Sequence, residues 1–189
     1  RRQLKADYRK PLVVFTPKSL LRHPKVISSV DEFASGGFQP LIDDKTAQAS
    51  KIETLVFVTG KFYYDLIERQ EQLSRDDIAF VRIEQLFPLP EAEIEAVLSK
   101  YAKATDVVWA QEEPRNMGAY AHMLMHIAQA KHWRVASRRS YSAPAAGSAT
   151  RSKKRHQEII DFVEFEDSNG EGFLSAVKRG INKFGKPTD

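Results

Sequence analysis

Apolar residues in this chain fall into short runs, and from residue 54 onward the runs alternate with stretches of helical period. Residues 54–59 (Thr54, Leu55, Val56, Phe57, Val58, Thr59) form a continuous apolar run. Such a run predicts a strand buried on both faces. Residues 78–83 and 107–110 predict two more strands, and 133–137 a short fifth. An earlier run, Leu12, Val13, Val14, Phe15 and Thr16, predicts the first strand. Pro11 at its start loses no interior ladder bond.

Between the runs lie helices. Gly60-Lys61 opens a helical pattern that continues to Leu73. Phe87-Pro88-Leu89-Pro90 breaks the chain, and Pro90 suits the first turn of a helix with Ile94, Val97, Leu98 and Tyr101 on one face. Residues 118–130 are helical and apolar nearly all round, which predicts burial; residues 152–163 read as another helix. Ser29 and Glu32 have capping-box spacing for a short helix ended by Gly36-Gly37, and residues 43–51 read as a loop. The alternation predicts an α/β fold: three α/β/α layers around a mostly parallel five-stranded sheet, with residues 54–59 central and right-handed crossovers. Ligands of such sheets bind beyond the carboxyl ends of the strands. Residues 16–24, 59–61 and 111–118 are the loops expected there.

Composition narrows the class. The chain has 189 residues, no cysteine and a formal net charge of +4. That excludes a disulfide framework and thiolate metal sites. No apolar run approaches the roughly 18 residues of a membrane span, and no secretory signal opens the chain. A soluble intracellular protein is the expectation. No internal repeat occurs. Residues 140–152, rich in Ser, Ala, Pro and Gly, read as a loop or linker. Arg1 to Leu4 reads as the tail of a longer helix.

Several residues carry candidate chemistry. Lys18 and Arg22 are four apart, so an α-helical turn would set both on one face. They suit a phosphate or carboxylate, or are a solvated surface turn. Arg138, Arg139, Arg151, Lys153, Lys154 and Arg155 form a basic cluster. It fits an anionic partner or a solvated helix start. Glu112 and Glu113 follow the fourth strand, but neighbours in sequence point apart. His122 and His126 have i,i+4 spacing without a third ligand, so no metal site is assigned; His23, His132 and His156 show no partner spacing. No P-loop, dinucleotide loop or nucleophile elbow is present.

Longer words say more. Residues 9–24 (RKPLVVFTPKSLLRHP), 60–66 (GKFYYDL), 81–88 (VRIEQLFP), 109–119 (WAQEEPRNMGA) and 142–148 (SAPAAGS) occur in order. Together they resemble the carboxy-terminal domain of the 2-oxoglutarate dehydrogenase first component, from residue 1 to about 164. The resemblance implies a transketolase-like carboxy-terminal domain over 1–164. It leaves 165–189 as an extension of unknown origin, where the spacing of Ser168 and Glu171 predicts the cap of a last helix with Phe173, Val177, Ile181 and Phe184 along one face. It implies an oxidoreductase of the tricarboxylic acid cycle, which decarboxylates 2-oxoglutarate on thiamine diphosphate and magnesium and succinylates lipoamide. It further implies a homodimer partnered by dihydrolipoamide succinyltransferase and dihydrolipoamide dehydrogenase, in the bacterial cytoplasm or the mitochondrial matrix, with no nucleic acid or membrane.

The catalytic and cofactor positions of that family lie upstream. No catalytic residue and no bound cofactor is therefore expected in this chain. Some family members bind acetyl-CoA on this domain as an activator. The matching positions are Arg2, Lys18, Arg22, Val58, Lys61, Gln111, Gly118 and Ala119, with nucleotides as a second ligand class. The alternatives are a free-standing CoA- or nucleotide-binding module, or the same domain of another 2-oxoacid decarboxylase.

Overall fold

The structure is a computed structural model that describes residues 2–164. Five strands form one sheet: β1 (Leu41–Ile42), β2 (Thr54–Val58), β3 (Ile78–Ile83), β4 (Asp106–Pro114) and β5 (Arg134–Arg138), in the order β1-β3-β2-β4-β5. β2 pairs in parallel with β3 and β4, and β4 in parallel with β5. Only β1 runs antiparallel, against β3. The apolar run at 54–58 is thus the central strand.

Its alternate side chains feed two cores. Leu55, Phe57, Ala79, Val81 and Trp109 pack on one face beneath α3 (Glu91–Lys100) and α4 (Tyr120–His126). Ile94, Val97, Met123 and Ile127 close that side, and the Phe57 and Trp133 rings stack at 4.9 Å. Val56, Val58, Phe80, Val108 and Ala110 face the other way, beneath α2 (Phe62–Leu73) and α5 (Ala149–Glu164). Phe62, Leu66, Ile159, Ile160 and Val163 cover them. A strand buried on both faces needs a continuous apolar run, which is why this sequence reads as it does. A short helix, α1 (Val30–Ala34), lies outside the layers. Its capping box is formed: the Ser29 hydroxyl accepts from the Glu32 N–H, and the Glu32 carboxylate accepts from the Ser29 N–H.

Three expectations need correction. Residues 12–16 are not a strand; they are irregular and open, with Leu12 67%, Val13 70%, Val14 70% and Phe15 93% exposed. Apolar composition reports a wish for burial, not the presence of a strand edge to pair with. The outer edge of β3 is instead taken by Leu41 and Ile42, and by Asp44, whose Oδ2 accepts from the Phe80 N–H at 3.3 Å. Second, the 118–130 segment is not a buried helix. α4 ends at His126 and a 3-10 turn, Ala128–His132, follows. Only Met123, Ile127 and Ala130 are buried there, while Met125 is 74% exposed, because a helix lying on a sheet presents one stripe to it. Third, Lys18–Arg22 is a 3-10 helix. At three residues per turn, positions 18 and 22 lie about 120° apart, so they do not share a face.

The last helix expected from the sequence, with residues 165–189 as a whole, lies outside the described residues. Among the described residues no helix is long and apolar enough to cross a membrane.

Candidate functional site at the carboxyl edge of the sheet

β2 ends in a tight turn at Gly60, whose φ of +61° is the left-handed conformation glycine adopts without strain. The turn delivers Lys61 to the start of α2 at the carboxyl edge of the sheet. Lys61 Nζ lies 2.5 Å from Asp65 Oδ2, one helical turn on, and 3.7 Å from Glu112 Oε1 on β4. His156, from α5, completes the group. Its Nε2 is 3.2 Å from Asp65 Oδ2 and its Nδ1 is 3.5 Å from Glu112 Oε1. The Phe62 ring meets His156 edge-on at 5.2 Å. Four polar side chains from α2, β4 and α5 therefore meet at one point.

Charges of opposite sign support one another inside this cluster. Burial works against the Lys61 ammonium, but the Asp65 hydrogen bond and the two carboxylates outweigh it and hold its pKa above the ordinary value. Burial likewise works against the Asp65 carboxylate, and the hydrogen bonds from His156 and Lys61 outweigh it, so its pKa is lowered. Asp65, Glu112 and His156 bring three potential metal-ligand atoms within 4.8 Å of one another. Lys61 already contacts both carboxylates, so a divalent ion would have to sit against an ammonium. The cluster is a polar clasp that supplies its own cation.

Next to it stands Gln111, the buried polar side chain of the core at 2% exposure. Its Oε1 accepts from Trp109 Nε1 at 2.7 Å and from the Tyr120 N–H at 3.2 Å. Its Nε2 donates to the Met117 carbonyl at 2.8 Å and the Pro114 carbonyl at 3.1 Å. Gly118, at φ +69°, lies so close that an added Cβ would stand 3.0 Å from Gln111 Oε1. Gln111 and Gly118 together fold the turn from β4 into α4, and Ala119 is the N-cap of that helix.

The predicted effector residues thus separate. Val58 is fully buried, and its backbone pairs with Ala110 beside this turn. Gln111, Gly118 and Ala119 lie together in the turn from β4 into α4, while Lys61 follows β2 and reaches Glu112, the chain neighbour of Gln111. Lys18 and Arg22 are exposed, and Arg2 lies over the Phe38 ring at 4.7 Å. No hydrogen bond or ion pair joins these three cations to the edge group among the described residues. Their segment is held to α2 instead: His23 Nε2 is 3.0 Å from Glu68 Oε1, and Lys25 pairs with Glu71. Glu112 and Glu113 part as expected, Glu112 into the clasp and Glu113 into solvent. His122 and His126 have separate partners, the Leu86 carbonyl at 2.8 Å and Glu91 at 3.3 Å. The sequence reading missed Asp65 and His156. Asp65 was legible as the i+4 partner of Lys61; His156 lies 91 positions away from Asp65, and no local spacing announces it.

Fold and edge geometry define a three-layer α/β/α domain with its polar residues gathered where the parallel strands end. The chain belongs to the 2-oxoglutarate dehydrogenase C-terminal family, whose model matches residues 27–163. It is similar to the 2-oxoglutarate dehydrogenase E1 component of Azotobacter vinelandii, 40% identical over 168 residues, covering 85% of this chain and 18% of that protein. The 2-oxoadipate dehydrogenase complex component E1 is 38% identical over 165 residues in Mus musculus and 37% over 165 in Homo sapiens, each covering 85% of this chain and 18% of that protein. The chain thus spans 18% of the length of these relatives.

Proposed function

We propose that this chain is the carboxy-terminal domain of the first component of a 2-oxoacid dehydrogenase, and that it works by docking rather than by chemistry of its own. The observation that carries this reading is the open apolar arm. Besides residues 12–15, Leu21, Ile27, Val30 and Phe33 are 70–82% exposed. Apolar area left open on this scale marks an interaction surface. The remainder of the same enzyme, and its second copy in a homodimer, are the natural cover for it. Family membership over residues 27–163 supports the same assignment.

In the intact enzyme, thiamine diphosphate would supply the electron sink for decarboxylation, with magnesium holding its diphosphate. The residues here do not fit either group: the one three-ligand cluster among the described residues already contains Lys61. Dihydrolipoamide succinyltransferase and dihydrolipoamide dehydrogenase are the proposed partners in the complex, and cytoplasm or mitochondrial matrix the proposed location. The substrate is a 2-oxo dicarboxylic acid. 2-Oxoadipate is the second reading, because relatives carrying that name match about as well as those named for 2-oxoglutarate. Turnover by the intact enzyme with thiamine diphosphate, magnesium and an artificial electron acceptor tests this. Reduction with 2-oxoglutarate, or with 2-oxoadipate, is expected. No turnover with either acid would overturn the assignment.

An anionic effector, acetyl-CoA or a nucleotide, is the finer proposal. Its support is that Lys18 and Arg22 are exposed without hydrogen-bond or ion-pair partners among the described residues, and that the polar edge group lies at the carboxyl ends of the strands, where α/β domains bind ligands. Binding of acetyl-CoA by this chain with no dependence on the rest of the enzyme would favour the free-standing module.

A further inference from the structure

The charges on α5 run against its own dipole. A helix carries partial positive charge at its N-terminus, where acids are favoured, and partial negative charge at its C-terminus, where bases are favoured. α5 has no acid in its first turn and no base in its last. Arg151, Lys153, Lys154 and Arg155 crowd its first half, while Glu158, Asp161 and Glu164 follow. Arg151, Lys153 and Lys154 are exposed, and none forms an ion pair among the described residues. Even Glu158, one turn beyond Lys154, does not pair with it. A local rule broken on one element without internal compensation points to something outside it.

The ground beside the patch is firm. Arg155, partly exposed, lies over the Tyr141 ring with its Cζ 5.3 Å from the centroid, and it forms no ion pair among the described residues. Tyr141 is fixed by Asn116, whose Nδ2 donates to the Tyr141 carbonyl and whose Oδ1 accepts from the Tyr141 N–H, each at 3.0 Å. Arg138 holds the same loop through the Pro144 carbonyl. An Arg held over an aromatic ring is suited to planar carboxylates.

We propose that the first half of α5, with Arg155 on Tyr141, docks a carboxylate-rich protein surface. A membrane is disfavoured because the apolar stripe of α5 (Ile159, Ile160, Val163) is spent on the core, leaving nothing to insert. A nucleic acid is disfavoured because residues 151–155 span only about 6 Å of helix axis, too little to follow a phosphate backbone. Acidic groups, Glu112 and Glu113, also lie on the same edge of the sheet.

The test is anisotropy of a labelled oligoglutamate titrated with the 189-residue chain, alongside labelled single-stranded DNA and phosphatidylserine vesicles. Oligoglutamate is expected to bind best, and more weakly as salt rises. The triple variant Arg151→Gln, Lys153→Gln, Lys154→Gln should weaken it roughly tenfold or more. A control double variant outside the patch, Lys103→Gln and Lys131→Gln, should not. The melting temperature of the triple variant should hold or rise, since cations at a helix N-terminus are unfavourable. Failure of oligoglutamate to bind, equal loss in the control, a lowered melting temperature with unchanged binding, or tighter binding of DNA or vesicles would each overturn the proposal.

Discussion

Gln111 and Gly118 show how much one turn can rest on two residues. Gln111 satisfies an indole N–H, a backbone N–H and two carbonyls in a place water does not reach. Gln111→Leu keeps the volume and removes every one of those bonds. It should lower stability by about 2–4 kcal/mol, read by denaturant unfolding. Gly118→Ala meets both a left-handed φ and the Gln111 amide, and should lower it by about 1–3 kcal/mol in the same assay. Asp65 makes a pH prediction. Its folded pKa lies below the ordinary 3.8, so the clasp contributes stability above that value and loses it as pH falls through the folded pKa. Asp65→Asn should flatten the loss of stability below about pH 3.8; an unchanged acid limb would remove Asp65 from the account. Arg22→Ala belongs to the effector proposal. Loss of charge-assisted hydrogen bonds should weaken acetyl-CoA binding about ten- to a hundredfold in calorimetric titration of the intact enzyme. Equal affinity would discard Arg22 as a ligand. At this scale the sequence was half legible. It pointed to Lys61, Gln111 and Gly118, as ligand contacts. The structure gives Gln111 and Gly118 structural work, which only their contacts reveal.

At the level of elements, the legible parts were those whose burial is decided locally. β2, β3 and the first half of β4 are largely apolar runs, and the sheet leaves them no alternative use. The arm at residues 12–16 has a similar composition and a different fate: strand formation also needs a neighbour, and the edge of β3 is taken by β1. Two residues, Leu41 and Ile42, form that strand, too few for any periodicity to register. Pairing with Ile83 and Arg82 holds them, and Asp44 braces the end of the strand. Its Oδ1 accepts from the Thr46 N–H at 2.8 Å and the Ala47 N–H at 3.1 Å, and its Oδ2 from β3. Asp44→Ala should loosen the β1 edge and cost about 1–3 kcal/mol, with faster amide exchange at Phe80. Exchange unchanged at Phe80 would show that β1 holds the edge without it. α4 was over-read for the opposite reason: its apolar residues cover more of its circumference than the sheet does.

Across the whole molecule, the layered core and the open arm give a domain that is internally complete and externally unfinished. Both sheet faces are covered, while among the described residues the apolar side chains of the 12–33 segment stay exposed. The central claim is that this arm is an interface with the rest of a larger enzyme. Hydrogen–deuterium exchange measures that directly, in the 189-residue chain alone and in the intact enzyme. Peptides covering residues 11–33 should exchange fast in the chain alone and be strongly protected in the intact enzyme, while peptides from β2 and β4 should be protected in both. Equal, fast exchange of residues 11–33 in both proteins would contradict the account.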